Sequence, residues 1–276
     1  MFNNLRILLL ACENLNIKYE IITPNGNLIK VKLHKDYYFC NSRTPLIDEA
    51  VSKILQDKEY TYYLLKEKIK IPQTIGFLSP HCNEQYKSYL KCSSITEMMT
   101  EIKTNFALPV IVKRNSGSRG HNVFLCHTDE EIETALKVIF DLKTKGYDDI
   151  ALAQQYILSK SEYRAIYLYK ELVLLYEKNV KKAKFIGNLS PLHWQGAEAK
   201  YINDLEILAE IDNFVRPIFT TIDLDYGGLD IVIDSNNNYW LIEINSHPSY
   251  SIFIRDNGDE QVIKIFEKML IKLANQ

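Results

Sequence analysis

The stretch 228–245, GLDIVIDSNNNYWLIEIN, constrains this chain more than any other segment. Two runs rich in Ile, Leu and Val flank Asp234-Ser235-Asn236-Asn237-Asn238, residues whose short polar side chains bond their own backbone and favour turns. An antiparallel hairpin is therefore expected, with strands at 229–233 and 239–244. Three oxygen-bearing side chains interrupt the apolar runs: Asp230, Glu243 and Asn245. Glu243 and Asn245 are two apart and share a strand face. Folding about the 234–238 turn brings Asp230 opposite them. Carboxylates among Ile231, Val232, Leu241, Ile242 and Ile244 need a cation, because an unpaired buried charge is costly. Three hard oxygen ligands on a rigid hairpin suit Mg²⁺, with Mn²⁺ as a substitute, carrying nucleotide phosphates. The competing reading is a pair of solvated strand carboxylates.

A chain of 276 residues suffices for one large or two modest domains, each with a core. Its formal net charge is −2, so no basic field points to nucleic acid, and a phosphate site must be assembled from a few local cations. The 18 tyrosines are scattered and form no repeat, which fits half-buried packing. Five cysteines (Cys12, Cys40, Cys82, Cys92, Cys126) form no C-x-x-C pair and have no His at zinc spacing, as expected of a reducing, cytoplasmic setting. Leu9-Leu10-Ala11-Cys12 mimics a lipoprotein cleavage box. The apolar stretch 7–11 is shorter than the roughly 7–15 residues a signal segment needs. A buried first helix or strand is expected there. No run approaches the about 20 apolar residues of a membrane span.

Alternating segments at 19–23 and 28–33 predict strands around Pro24-Asn25-Gly26-Asn27. Segments 45–56 and 58–69 read as helices, the second ended by Ile71-Pro72. The polar stretch 79–94 marks a boundary or an insertion. Strands follow at 109–113 and 122–126, then a helix opened by a capping box, Thr128-x-x-Glu131. Further strands are expected at 150–153, 164–168 and 171–177. A helix over 204–222 should kink at Pro217, and a last amphipathic helix covers 260–273.

Two other constellations carry chemistry. Lys113-Arg-Asn-Ser-Gly-Ser-Arg-Gly120 ends one strand and returns into another, so it is not a Walker loop, which feeds a helix. Backbone N–H groups of Ser116, Gly117, Ser118 and Gly120 can still lie over phosphates while Lys113 adds a point charge. Taken alone, a plain Gly/Ser-rich hairpin explains it as well. The second is the strand 151–157, which includes Gln154, Gln155, Tyr156 and Ile157, followed by Glu162-Tyr-Arg164. Backbone groups there can read adenine, Glu162 a ribose hydroxyl, and the Arg164 fork a carboxylate or phosphate. A surface Glu-x-Arg pair on a strand edge is the alternative.

The order of these parts resembles the ATP-grasp superfamily from about Asp57 to the C-terminus. In texture it is similar to RimK-like ligases and to the ATP-grasp domains of cyanophycin synthetase and bifunctional glutathione synthetase. Asp57-Lys58 with the following LLKEKIKIPQT resembles their "DK…LL…gipvP.T" segment, and LIEINSHP their "EvN..P" terminus. The resemblance implies an α/β chain with the α+β ATP-grasp fold. It places a small N-terminal α/β domain at 1–75 and the ATP-grasp domain at 76–276, whose subdomains (76–150 and 151–276) clasp ATP. It further implies that Lys58 and Lys113 contact phosphates, that Gln155, Tyr156 and Ile157 line the adenine pocket, mostly through the backbone, beside cofactor-binding Gln154, and that Glu162 binds ribose. Arg164 would stabilise an acyl phosphate, Asn188 would sit near the metal, and Asp230, Glu243 and Asn245 would hold Mg²⁺.

Two departures stand out. The family's Gly-Gly is Gln195-Gly196-Ala197 here, after a longer 189–194 insert, and an expected catalytic Arg is Lys178, which keeps charge but loses the bidentate fork. The implied activity is ATP-dependent amide or peptide bond formation, releasing ADP and phosphate, between small-molecule or peptide carboxylate and amine substrates. A hydroxyl-phosphorylating kinase and a catalytically silent nucleotide-binding regulator are the alternatives. No nucleic acid or membrane partner is implied, and a homo-oligomer is compatible. Acceptor contacts are expected from segments 79–105 and 181–200, the second holding His193; His247, beside the hairpin, is read either as a substrate contact or as structural before Pro248. No Ser/His/Asp or Cys/His arrangement is present.

Overall fold

Three antiparallel sheets organise the chain, in a computed structural model that describes residues 1–117, 120–184, 192 and 194–276. The first sheet joins β1 (Lys18–Ile21), β2 (Leu28–Lys32) and β3 (Asp36–Cys40) in sequence order. Before it runs α1 (Asn3–Asn14), which packs on the last helix, α8 (Glu260–Ala274). Leu5, Ile7, Leu8 and Ala11 of α1 share one core with Ile29, Val31 and Phe39 of the sheet and with Val262, Phe266 and Leu270 of α8. The lipoprotein-like segment is thus interior helix: Ala11 and Cys12 are both fully buried. Arg6 fastens the helix pair from outside through a forked contact to Asp259.

The second sheet has the order β4 (Thr74–Leu78), β7 (Ile150–Gln155), β5 (Val110–Arg114), β6 (Val123–Cys126). Its apolar face is covered by α4 (Ile95–Asn105) and α5 (Asp129–Ile139), with Met98, Ile102, Ile132, Leu136 and Ile139 against Val110 and Val112. Thr128 caps α5 at the Glu131 N–H, as its spacing predicts, but the returning Glu131 carboxylate accepts from His127 rather than from Thr128. The polar stretch at 79–94 holds a short 3₁₀ turn, Glu84–Tyr89, and ends in Ser94, which caps α4. Helix α4 and strands β3 and β4 went unread in the sequence.

The third sheet has the order β10 (Glu198–Tyr201), β9 (Glu171–Asn179), β8 (Ser159–Leu168), β11 (Tyr226–Asp234), β12 (Tyr239–Asn245). One face packs on α6 (Leu205–Thr221), which runs on through Pro217, and takes in Leu55 of α2 (Glu49–Gln56) and Leu65 of α3 (Lys58–Leu65). The other face is divided. Ile166, Leu168, Leu174, Tyr176 and Tyr226 join the α1–α8 core, along with Phe253 of α7 (Ser251–Asn257). Further along the same strand faces stand Glu162, Arg164, Lys178 and Asp230, all charged. Side chains two apart in a strand share a face, so a buried apolar floor continues directly into a charged one. No helix among the described residues is long and apolar enough to cross a membrane.

Candidate active site

The hairpin β11–β12 forms about the 234–238 turn, where the Asp234 carboxylate accepts from the Asn236 and Asn238 N–H groups and from the Trp240 indole. Those bonds hold the Asp234 pKa down at about 2. From the turn the strands pair regularly, Ile233 with Tyr239, Val232 with Trp240, and Ile231 with Leu241. The ladder then shifts: Asp230 pairs with Glu243 and Gly228 with Asn245, leaving Ile242 as an extra residue. Such a bulge re-aims the strand beyond it. Leu229, Ile231, Leu241 and Ile244 stay in the α6 core, while Glu243 and Asn245 move to the face of Asp230.

Asp230 also lies opposite Arg164 of β8. Arg164 Nη2 donates to Asp230 Oδ2 at 2.7 Å, and Nε donates to the other oxygen. Lys178 of β9 reaches the same Oδ2 at 3.1 Å and pairs closely with Glu162. Lys178 is 7% exposed and Asp230 6%. Burial opposes every one of these charges, yet the partners outweigh it. Asp230 stays below the usual carboxylate range, against burial, because of Arg164 and Lys178. Lys178 is raised, against burial, by Asp230 and Glu162, and Arg164 is raised, against burial, chiefly by Asp230. The mutual pairing keeps Asp230, Lys178 and Arg164 ionised.

Two lysines come from the opposite wall. Asp57 caps α3 at the Tyr60 N–H, which sets Lys58 at the first position of the helix. Lys58 Nζ donates to the Gly117 carbonyl at 2.8 Å and the Asn115 carbonyl at 3.3 Å, and stands 3.8 Å from Glu243 Oε1. It thereby ties the glycine loop to the β11–β12 hairpin. Buried Asn115 accepts from the Glu59 N–H and fixes the loop base. Lys113, next to last in β5, is 6% exposed, and its pKa falls to about 8 through burial and then Lys58, with Glu243 opposing.

These groups share a cavity of about 470 Å³. Lys58, Lys113, Gly117 and Gly120 line one wall, and Glu162, Arg164, Lys178, Asp230, Glu243 and Asn245 the other. Five expected residues lie elsewhere. Ser116 turns outward and donates to Asp148, with Oγ at 2.6 Å. Gln154 is buried behind Lys113, Gln155 is exposed with its N–H on the Gln73 carbonyl, and Tyr156 and Ile157 are half-buried outside the lining. Ser118, Asn188 and His193 fall outside the described residues. The lining also includes residues the sequence did not reveal: Ser42, His121, Tyr176 and Ile252. Tyr176 was legible by alternation with Lys178. Ser42 was not, since it arrives on a turn closed by mutual Cys40 and Arg43 backbone bonds. His247 lines the cavity too, with Nε2 3.1 Å from Ser52 Oγ; burial, then Arg43, lowers its pKa.

The family model of the RimK-like ATP-grasp domain matches residues 60–269. The chain belongs to that family. Among solved structures, this ATP-grasp chain is similar to a bifunctional glutathione synthetase from Pasteurella multocida, with 16% identity and a TM-score of 0.61 over 99% of this chain and 44% of that one. It is similar to a D-alanine–D-alanine ligase from Bacillus anthracis, with 16% identity and a TM-score of 0.54 over 80% and 66% of the two chains. The VanG D-Ala:D-Ser ligase from Enterococcus faecalis gives 14% identity and a TM-score of 0.56 over 79% and 62%. At these identities the likeness is one of fold, and the chain spans less than half of the glutathione synthetase's length. No curated protein matches the sequence.

An ATP-grasp site implies nucleotide and a divalent ion, and the side chains present fit both. Among the described residues the Glu243 carboxylate has one loose ion pair, to Lys58 at 3.8 Å, and it lines the cavity. The Asn245 amide nitrogen, a donor, is buried with no partner among the described residues, which suits a nucleotide oxygen, while only the side-chain oxygen of Asn245 suits a cation. Asp230 differs, since Arg164 and Lys178 already hold its oxygens. Among the described residues no three His, Cys, Asp or Glu side chains are grouped to hold a metal by themselves. Mg²⁺ suits such a partial oxygen set, because it is commonly bound by one or two carboxylates and substrate phosphates.

Proposed function

We propose that this protein is an ATP-dependent carboxylate–amine ligase, forming an amide or peptide bond on an amino acid or peptide substrate. The observation that carries the reading is the convergence of four cations, Lys58, Lys113, Arg164 and Lys178, with Glu162, Asp230, Glu243 and Asn245 in one cavity. Bound MgATP supplies the phosphoryl group that activates the carboxylate, before an amine displaces phosphate. Lys58 and Lys113 neutralise phosphate charge from the glycine-loop wall. Glu243 and Asn245 hold the metal, with Asp230 beside them. Arg164, aligned by its fork on Asp230, presents its remaining guanidinium edge to charge developing on the substrate. Lys178 adds a second positive charge there, with Glu162 and Asp230 keeping it in place. Phosphoryl transfer asks mainly for such positioning and neutralisation, so no nucleophilic side chain is needed. The five free cysteines support a reducing, cytoplasmic setting.

The test is incubation with MgATP and panels of carboxylates and amines, reading ADP release and product mass. An amide product with stoichiometric ADP and phosphate supports the ligase. A phosphorylated hydroxyl product assigns a kinase instead. Nucleotide binding without ADP release for any panel member assigns a silent regulator.

A further inference from the structure

Lys113, Gln154 and Thr74 stand on one face of three adjacent strands. Thr74 of β4 is paired directly with Gln154 of β7, and Gln154 lies diagonal to Lys113 of β5, since Ile111 is the residue opposite it. Lys113 Nζ donates to Gln154 Oε1 at 2.8 Å, Gln154 Nε2 donates to Thr74 Oγ1 at 2.8 Å, and Thr74 donates to the Pro72 carbonyl at 3.0 Å. The direction of each bond is dictated chemically. An ammonium has only donors, so Gln154 must turn its carbonyl to Lys113 and its amide N–H to Thr74. The threonine hydroxyl then has its hydrogen left for Pro72, whose carbonyl accepts. Only one amide orientation satisfies the chain. All three side chains are buried.

Lys113 makes no ion pair with a carboxylate among the described residues, so this neutral amide is what anchors its buried ammonium. Lys113 lines the cavity and Gln154 does not. The Gln154 side chain, on a strand expected to read adenine through backbone groups, is therefore committed to the lysine. Resting on the nucleotide-site reading above, we propose that Gln154, held by Thr74, is the positioning residue for Lys113 and sets where its ammonium meets the phosphates. Gln154 acts through the lysine and makes no side-chain contact with the base.

A double-mutant cycle on the full chain tests this, with calorimetric binding of MgADP and of a non-hydrolysable MgATP analogue as readout. Gln154→Leu should weaken binding about tenfold, the scale of a lost hydrogen bond to a charged group. In a Lys113→Met background the same change should cost less than about twofold, because there is no ammonium left to place. Thr74→Val should follow Gln154→Leu in direction, and Thr74→Ser, which keeps the hydroxyl, should restore wild-type affinity. Equal losses in both backgrounds would mean that Gln154 touches the nucleotide itself and would overturn the inference. So would identical affinities for Thr74→Val and wild type, or a Gln154→Leu protein that binds normally. Thermal unfolding of each variant separates loss of fold from loss of placement. If wild-type protein binds neither nucleotide, the ATP-site reading itself fails, an outcome distinct from additive losses.

Discussion

Asp230 stands directly opposite Glu243 in the β11–β12 ladder, one residue out of the register that the 234–238 turn sets. Strict pairing outward from that turn would place Ile242 against Asp230 and send Glu243 into the α6 core. The bulge at Ile242 changes the parity of the strand. Leu241 and Ile244, three apart, both remain in the core, and Ile242 and Glu243 both line the cavity. A carboxylate that alternation would bury is delivered to the site.

Glu243→Gln keeps shape and removes the open carboxylate. Affinity for MgADP should fall on the order of 100-fold, the upper end of the roughly 10- to 100-fold typical of outer-shell partners of a metal. Nucleotide binding measured in EDTA should change far less. Equal losses with and without Mg²⁺ would show that Glu243 does not serve the metal.

Asp230→Ala should destabilise the fold by about 3–5 kcal/mol in urea unfolding, because it strands buried Arg164 and Lys178. The sign with pH follows from a folded pKa held below the usual 3.8. The wild-type contribution is fully present above about pH 4, where the unfolded carboxyl is ionised too, and is lost as pH falls through the folded value. The difference between wild type and variant should therefore narrow only in strong acid. A gap already shrinking at pH 6 would contradict the pairing.

Much of this was legible because it is local. Apolar alternation, the Asp-Ser-Asn-Asn-Asn turn and the Thr128 cap each act within a few residues, and the hairpin, α5 and α8 follow from them. The bulge was not legible, since alternation reports which residues share a face only while the ladder is regular. Gln154 was read through its strand, but its side-chain partners, Thr74 and Lys113, come from β4 and β5, distant in sequence. Ser42 likewise reaches the cavity by tertiary packing, which no local spacing encodes.

Lys113→Met should stabilise the protein while weakening nucleotide binding to a level that calorimetry still measures. The lysine pKa drops from the usual 10.5 to about 8 on folding, so the native state resists its proton. At pH 7 that penalty is complete, on the order of 2 kcal/mol once the lost Gln154 bond is allowed for. As pH rises from 8 toward 10.5 the folded lysine is neutral while the unfolded one still binds its proton, and wild type regains stability. The advantage of Lys113→Met in chemical unfolding should shrink across that window. An advantage independent of pH would place the ammonium in a less buried setting.

Arg164→Lys separates charge from geometry. The guanidinium uses Nε and Nη2 on Asp230, which leaves Nη1 directed away from the carboxylate and able to meet substrate charge. A lysine keeps the positive charge beside Asp230 but presents a single rotating ammonium, already needed for the pair. Gly228 shows how closely the arginine is held: a Cβ there would stand 3.3 Å from Arg164 Cδ and 3.0 Å from Pro248. With the fork gone, kcat should fall by about 100-fold, the scale of one lost preorganised donor, while KM for ATP moves less than about threefold, because the proposed function gives the phosphates to Lys58 and Lys113. Rapid-quench measurement of the first turnover should place the loss in the chemical step. A variant that lost nucleotide affinity and kept kcat would move Arg164 from the transferring group to the resting nucleotide, and the acyl-activating role would pass to Lys178.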